Sequence, residues 1–187
     1  MKRLIIMVLV FIITGFISCK DRSADENRVM AEDNGKSTQG TLYRGHTFSK
    51  GLALAKETGK PMVLYFYTTW CGYCRAMDKM VFSDSEVAEE LREKFVYVRI
   101  DTESSEEIRF KNHNLRPMEF GMMMGVQGFP TTVYLDKDLA VITKIPGFMN
   151  RDVFLNLLSY ISAKCYTKNV SFDNYDRKNS PCSSGGK

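Results

Sequence analysis

Histidine is nearly missing from this chain: its 187 residues contain only His46 and His113, far apart from each other. Structural zinc takes four ligands, usually two pairs, so a lone cysteine pair needs a second pair to complete it. Of the five cysteines, only Cys71 and Cys74 stand two residues apart, and Cys165 and Cys182 are too widely separated to form another such pair. A zinc site is therefore disfavoured. Copper stays open on ligand softness alone, because Met122, Met123 and Met124 offer consecutive thioethers. The plainer reading of that run is core filling. A basic block is also lacking. The formal charge is +4, half of it from Lys2 and Arg3, which makes no polyanion groove and no case for nucleic-acid binding. There is no internal repeat. The longest apolar run, Leu4 to Ile17, falls short of the roughly 20 residues of a full membrane span.

That run follows two positive charges and precedes Ser18 and Cys19, the layout of an export signal over residues 1–18. An uncleaved anchor helix is the alternative reading. "KDRSADENRVMAEDNGKSTQG" has almost nothing to bury, so residues 19–41 read as a tether. A flexible chain of that length spans roughly 25 Å.

From Leu42 the pattern tightens into helix, strand, helix, helix, strand, helix, strand, strand, helix. That order implies an α/β domain over residues 42–165 with mixed strand pairing and one core. "MVLYFYTT" reads as a buried strand, and the residues after Cys74 read as helical through Met80. Ser83 and Glu86 stand at capping-box spacing and open a further helix. Residues 102–124 read as a loop followed by a helix ending at "EFGMMMG". "TTVYLD" and "AVITKIPG" form a hairpin, and Asn150 caps a closing helix. Residues 166–187 read as a polar tail.

"VLYFYTTWCGYCRAM" places Cys71 and Cys74 where a strand turns into a helix. The thiolate, not the thiol, is the nucleophile. A helix N-terminus favours a thiolate through its unpaired N–H groups and positive dipole end. Two intervening residues let the second sulfur reach back and close a disulfide.

Trp70-Cys71-Gly72-Tyr73-Cys74 after an apolar strand, followed later by "GFPTTVYLD", resembles the thioredoxin-fold thiol–disulfide oxidoreductases over residues 42–165. "KPMVLYFYTTWCGYCRAMDKMVFSDSEV" and the later "GFM" are most similar to the C-terminal periplasmic domain of the DsbD thiol reductases. "FLNLLSYISAKCYTKNVSFDNY" resembles exported SoxW-like thioredoxins. The resemblance implies a thioredoxin fold, a central mixed sheet flanked by helices. It also implies Cys71 as nucleophile, Cys74 as resolver and no cofactor. Phe129-Pro130-Thr131 matches the cis-proline loop that receives substrate; the alternative is a strand that starts in trans at Pro130. Trp70 matches the surface aromatic beside the nucleophile, with core packing as its alternative.

Two positions depart from the pattern. Tyr65 stands where many members carry a buried aspartate, and Phe129 replaces a smaller residue. Asp78, four residues after Cys74, is either a replacement carboxylate that shuttles a proton or an exposed helix charge. Phe16-Ile17-Ser18-Cys19 resembles a lipoprotein box, with Phe where Leu is usual, and so implies acylation of Cys19. Cys165 and Cys182 are either a structural disulfide or free thiols.

The reading is an exported, membrane-tethered oxidoreductase that reduces or isomerises disulfides of periplasmic proteins, with a membrane thiol reductase as electron donor. Gly72-Tyr73 resembles the pairs of disulfide isomerases rather than the Pro-His of strongly oxidising members. The alternative is a non-catalytic lipoprotein of the same fold that holds copper or a partner protein.

Overall fold

The computed structural model describes residues 40–168, 170–175, 177 and 182. The export signal, Cys19 and nearly all of the tether lie outside these residues.

"MVLYFY" forms β1, Met62–Tyr67. Successive side chains of a strand point to opposite faces, so a run with no polar alternation must be covered on both. Val63 and Tyr65 enter one apolar cluster, while Met62, Leu64 and Phe66 enter the other. Val96–Asp101 forms β2, Thr131–Leu135 forms β5 and Val141–Pro146 forms β6. The sheet order is β2-β1-β5-β6. β2 runs parallel to β1, whereas β5 is antiparallel to both β1 and β6. This is the mixed sheet flanked by helices expected of a thioredoxin fold.

On the Leu64 side lies α1, Phe48–Thr58, which buries Phe48, Gly51 and Ala55. A Cβ on Gly51 would sit 2.3 Å from Val98 Cγ2, so glycine is what lets α1 pack this close to β2. On the Tyr65 side lie α2 (Gly72–Met80), α3 (Ser85–Lys94) and the closing helix α5 (Arg151–Ser162). Asn150 caps α5 as expected, its side chain accepting from Val153 N–H at 2.9 Å.

The start of α3 differs from the sequence reading. Its N-cap is Asp84, whose carboxylate accepts from Glu86 and Val87 N–H at 3.0 and 3.1 Å. Ser83 instead donates its hydroxyl to the Asp78 carbonyl at 2.8 Å. A carboxylate complements the positive helix end better than a hydroxyl does. Asp84 is buried and also accepts from Arg151 Nε at 2.8 Å, which ties α3 to α5.

Residues 102–124 hold more than a loop and a helix. Ile108–Phe110 (β3) and His113–Leu115 (β4) pair as a short hairpin ahead of α4, Pro117–Met123. Ile108 and Phe110 pack in the cluster of Phe48 and Phe120.

Beyond α5 some of the described residues pack against the domain. Val170 and Tyr175 are buried, and Tyr160 Oη donates to the Val170 carbonyl at 2.6 Å. Cys165 and Cys182 are joined, with Cα atoms 5.1 Å apart. Residues 166–187 read as a polar tail, and among the described ones Phe172 and Tyr175 make aromatic contacts with Tyr160 of α5. Among the described residues, no helix is long and apolar enough to cross a membrane.

Candidate active site

Strand β1 ends at Tyr67, and Thr68-Thr69-Trp70 turn the chain into α2. Cys71 is the N-cap of that helix, its backbone extended at φ −70°, ψ 113°. Its sulfur accepts the Cys74 N–H at 3.1 Å. One of the unpaired donors of the helix start is thus already aimed at sulfur, the arrangement that favours a thiolate after reduction. Cys71 and Cys74 are disulfide-bonded, with Cα atoms 5.2 Å apart. Both cysteines are nearly enclosed, at 5% and 1% exposure.

The flanking aromatics are open. Trp70 is 65% exposed and Tyr73 59%, so Trp70 is not core packing. Its indole Nε1–H donates to Glu103 Oε1 at 2.9 Å, which fixes the ring over the loop after β2. The ring stands edge-on to Phe129 with centroids 6.4 Å apart. Gly72 is exposed, and its side of the helix start is left open.

The loop bearing Phe129 reaches this place because β5 runs antiparallel to β1. Thr131 pairs with Phe66, so the residues before β5 lie beside the end of β1 that leads to Cys71. The Phe129–Pro130 peptide is cis. Thr131 Oγ1 donates to the Gly128 carbonyl at 2.7 Å, and the Pro130 carbonyl accepts from Gly147 N–H at 2.8 Å. Gly147 has φ +87°, a left-handed conformation in which glycine is unstrained.

Asp78 is not a loose surface charge. Arg99 on β2 grips both its oxygens, Nη1 to Oδ1 at 2.6 Å and Nη2 to Oδ2 at 2.9 Å. The guanidinium lies over the rings of Tyr67 and Tyr65, 4.5 and 5.1 Å from their centroids. Burial opposes the Arg99 charge, but Tyr97 and Asp78 outweigh it and hold its pKa above the ordinary value. Tyr65 donates its hydroxyl to the Cys74 carbonyl at 3.3 Å. Burial first, and the Asp78 charge second, push the Tyr65 hydroxyl well above the usual tyrosine range.

Sequence reasoning did not find Arg99, Glu103 or Thr68. The signal for Arg99 was a charge inside the apolar run "VYVRI", two residues from Tyr97 and so on the same sheet face. Thr68 is buried, and its hydroxyl has no hydrogen-bond partner among the described residues. Cys165 is fully buried and well separated in sequence from the Cys71 turn. Met122 and Met123 are exposed on α4. Among the described residues no three His, Cys, Asp or Glu side chains cluster as metal ligands.

A family model described as a thioredoxin-like domain matches residues 48–162. The thiol:disulfide interchange protein DsbD of Vibrio vulnificus is 31% identical over 113 residues, which is 59% of this chain and 18% of the relative. The chain thus spans less than a fifth of that relative's length. A thioredoxin-fold protein from Helicobacter pylori superposes with a TM-score of 0.57 at 26% identity, covering 62% of this chain and 77% of the other. A putative disulphide-isomerase from Bacteroides thetaiotaomicron gives a TM-score of 0.52 at 26% identity, covering 71% and 98%.

Proposed function

The chain belongs to the thioredoxin-like domain family, and on that premise we propose that it is an exported enzyme that reduces or isomerises disulfides in periplasmic proteins. It is a thioredoxin-fold thiol–disulfide oxidoreductase by kinship, and its Cys71–Cys74 pair has the form such chemistry uses. The observation that carries the proposal is the Cys71 sulfur at the N-cap of α2, receiving the Cys74 N–H.

In the proposed cycle Cys71 attacks a substrate disulfide as the thiolate. One substrate sulfur leaves as a thiol and the other stays bonded to Cys71. Cys74 then attacks the Cys71 sulfur, releasing the second substrate thiol and restoring the disulfide seen here. Two electrons pass from the enzyme's dithiol to the substrate. Substrate lies against Trp70, Tyr73, Gly72 and the Phe129-Pro130-Thr131 loop, the open rim around an otherwise enclosed sulfur.

Residues 1–18 act as the export signal and Cys19 as the lipid-attachment site, with residues 19–41 tethering the domain to the membrane. The folded domain covers residues 42–165, and residues 166–187 form the appended C-terminal segment. A membrane thiol reductase recharges the disulfide. The Gly-Tyr pair, and the DsbD kinship of the domain, support a potential between the thioredoxin and disulfide-isomerase ranges, roughly −270 to −180 mV.

Insulin reduction that requires both Cys71 and Cys74 tests the activity, and equilibration with glutathione buffers tests its direction. A potential near −120 mV would make the protein an oxidant. Stoichiometric copper binding with no exchange activity would replace the enzyme reading with a binding one.

A further inference from the structure

We infer that Arg99 is a positioning residue that cancels the charge of Asp78 on the redox helix, so that Asp78 acts as half of a neutral pair and not as a free proton carrier. The inference deepens the proposed oxidoreductase reading and rests on it.

Asp78 follows Cys74 by four residues on α2, a rise of about 6 Å along the helix. A lone carboxylate at that place opposes formation of a thiolate, because like charges disfavour each other's ionised form. A proton carrier also needs a carboxylate that can take up a proton without breaking an ion pair. Neither condition describes this site. Both Asp78 oxygens receive Arg99 N–H groups in a two-pronged bond. The guanidinium is itself fixed: its side chain is 7% exposed, it lies over Tyr65, Tyr67 and Phe82, and Nη1 donates to Tyr97 Oη at 3.4 Å.

The groups facing the pair can be named by element. From β1 come Tyr65 and Tyr67, from β2 Tyr97, and from the turn after α2 Phe82 and the Ser83 hydroxyl on the Asp78 carbonyl. On α2 itself, Arg75 and Lys79 are exposed, and Arg75 donates to the Thr69 carbonyl at the cysteine end. The only anion gripped by Arg99 is thus Asp78, among the described contacts. Tyr65 completes the link, since its hydroxyl bonds the Cys74 carbonyl while its ring lies under Arg99.

Two opposite charges side by side leave a small net field at the sulfurs, whereas either alone leaves a large one. Cys71 is about 10 Å along the helix from Asp78. A single charge at that distance, at an effective dielectric near 20, shifts a titration by about one pH unit.

The test is a thiolate titration of Cys71 in the reduced protein, followed by absorbance near 240 nm, with glutathione equilibration alongside. Arg99→Gln leaves an anion and should raise the midpoint by about one unit, with the equilibrium moving toward the disulfide. Asp78→Asn leaves a cation and should lower the midpoint by a similar amount, moving it toward the dithiol. The double variant and Arg99→Lys should both fall close to wild type. A merely structural pair would move both single variants the same way or not at all, and either result overturns the inference. If Arg99→Gln fails to fold, the lowering by Asp78→Asn and its reversal in the double variant decide the matter. Insulin reduction by the wild type is read separately, so loss of the oxidoreductase reading is told apart from loss of this one.

Discussion

Cys71–Cys74 and Cys165–Cys182 have nearly equal Cα separations, 5.2 and 5.1 Å, and differ in almost every neighbour. The first joins residues three apart at the start of α2, with an N–H aimed at sulfur and two exposed aromatics beside it. The second joins residues 17 apart, and Cys165 is fully buried in the cluster that includes Leu158 and Ile161 of α5. Opening the first bond releases a loop too short to change chain entropy much, and its thiolate meets a helix end ready for it. Opening the second removes a 17-residue loop closure from the unfolded chain and leaves a thiol in apolar surroundings. The same covalent bond is exchangeable or structural according to what its sulfurs touch and how much chain it closes.

The comparison breaks first at the sulfurs of α2. Cys71→Ser should abolish insulin reduction, while Cys74→Ser should still capture substrate as a stable mixed disulfide, visible by non-reducing electrophoresis. Equal trapping by both variants would remove the distinction between nucleophile and resolver. The opposite expectation holds for the second bond. Replacing Cys165 and Cys182 by Ala should lower stability by about 3 kcal/mol, from the loop closed, and leave exchange activity near wild type. Urea unfolding measures the loss. Graded reduction with alkylation and mass spectrometry should find Cys71 and Cys74 labelled before Cys165 and Cys182.

Smaller changes sharpen the contrast. Trp70→Ala should slow exchange with a protein substrate about tenfold, the size expected for truncating one interfacial aromatic, without changing the melting temperature. Unfolding data and stopped-flow rates together would separate that from a folding defect. The smallest effects have opposite signs at the two ends. Thr68→Val removes a buried hydroxyl that has no partner among the described residues and should stabilise by about 1 kcal/mol. Tyr175→Phe removes the hydroxyl 2.7 Å from Ser159 Oγ and should destabilise by about the same amount. If Thr68→Val is destabilising, the hydroxyl has a partner that geometry did not reveal.

The sheet and its main helices were legible because long apolar runs and strong punctuation mark them. "MVLYFY", Gly59 and Asn150 each act through local chemistry. The β3–β4 hairpin was not legible: three-residue strands carry too little periodicity, and two apolar residues, Ile108 and Phe110, do not by themselves show that they meet the Phe48–Phe120 cluster. The N-cap of α3 was misplaced by one residue because Ser83 and Asp84 both suit a cap, and only the fold shows which one turns toward Asp78. At the candidate site, Cys71, Cys74 and the Phe129–Pro130 loop stood out as motifs. Arg99 and Glu103 did not, since their roles depend on strand pairing and loop placement across many residues. The C-terminal segment was misleading in a different way. Its composition is polar, yet among the described residues Val170, Phe172 and Tyr175 pack against the core.

The attachment of the first described residues sets a mechanical property of the domain. Gly40 N–H bonds the Ser83 carbonyl at 2.7 Å, and Tyr43 N–H bonds the Phe82 carbonyl at 2.9 Å. Both contacts lie past the C-terminal end of α2, a helix about 13 Å long with Cys71 at its other end. A pull on the chain at Gly40 therefore enters the domain through the Phe82-Ser83 turn. The Phe82 side chain is fully buried, stacked on Tyr97 and edge-on to Phe154. Phe82 shares that load with β2 and α5 through these ring contacts, and the sulfurs stand a full helix length away from the point where the force enters.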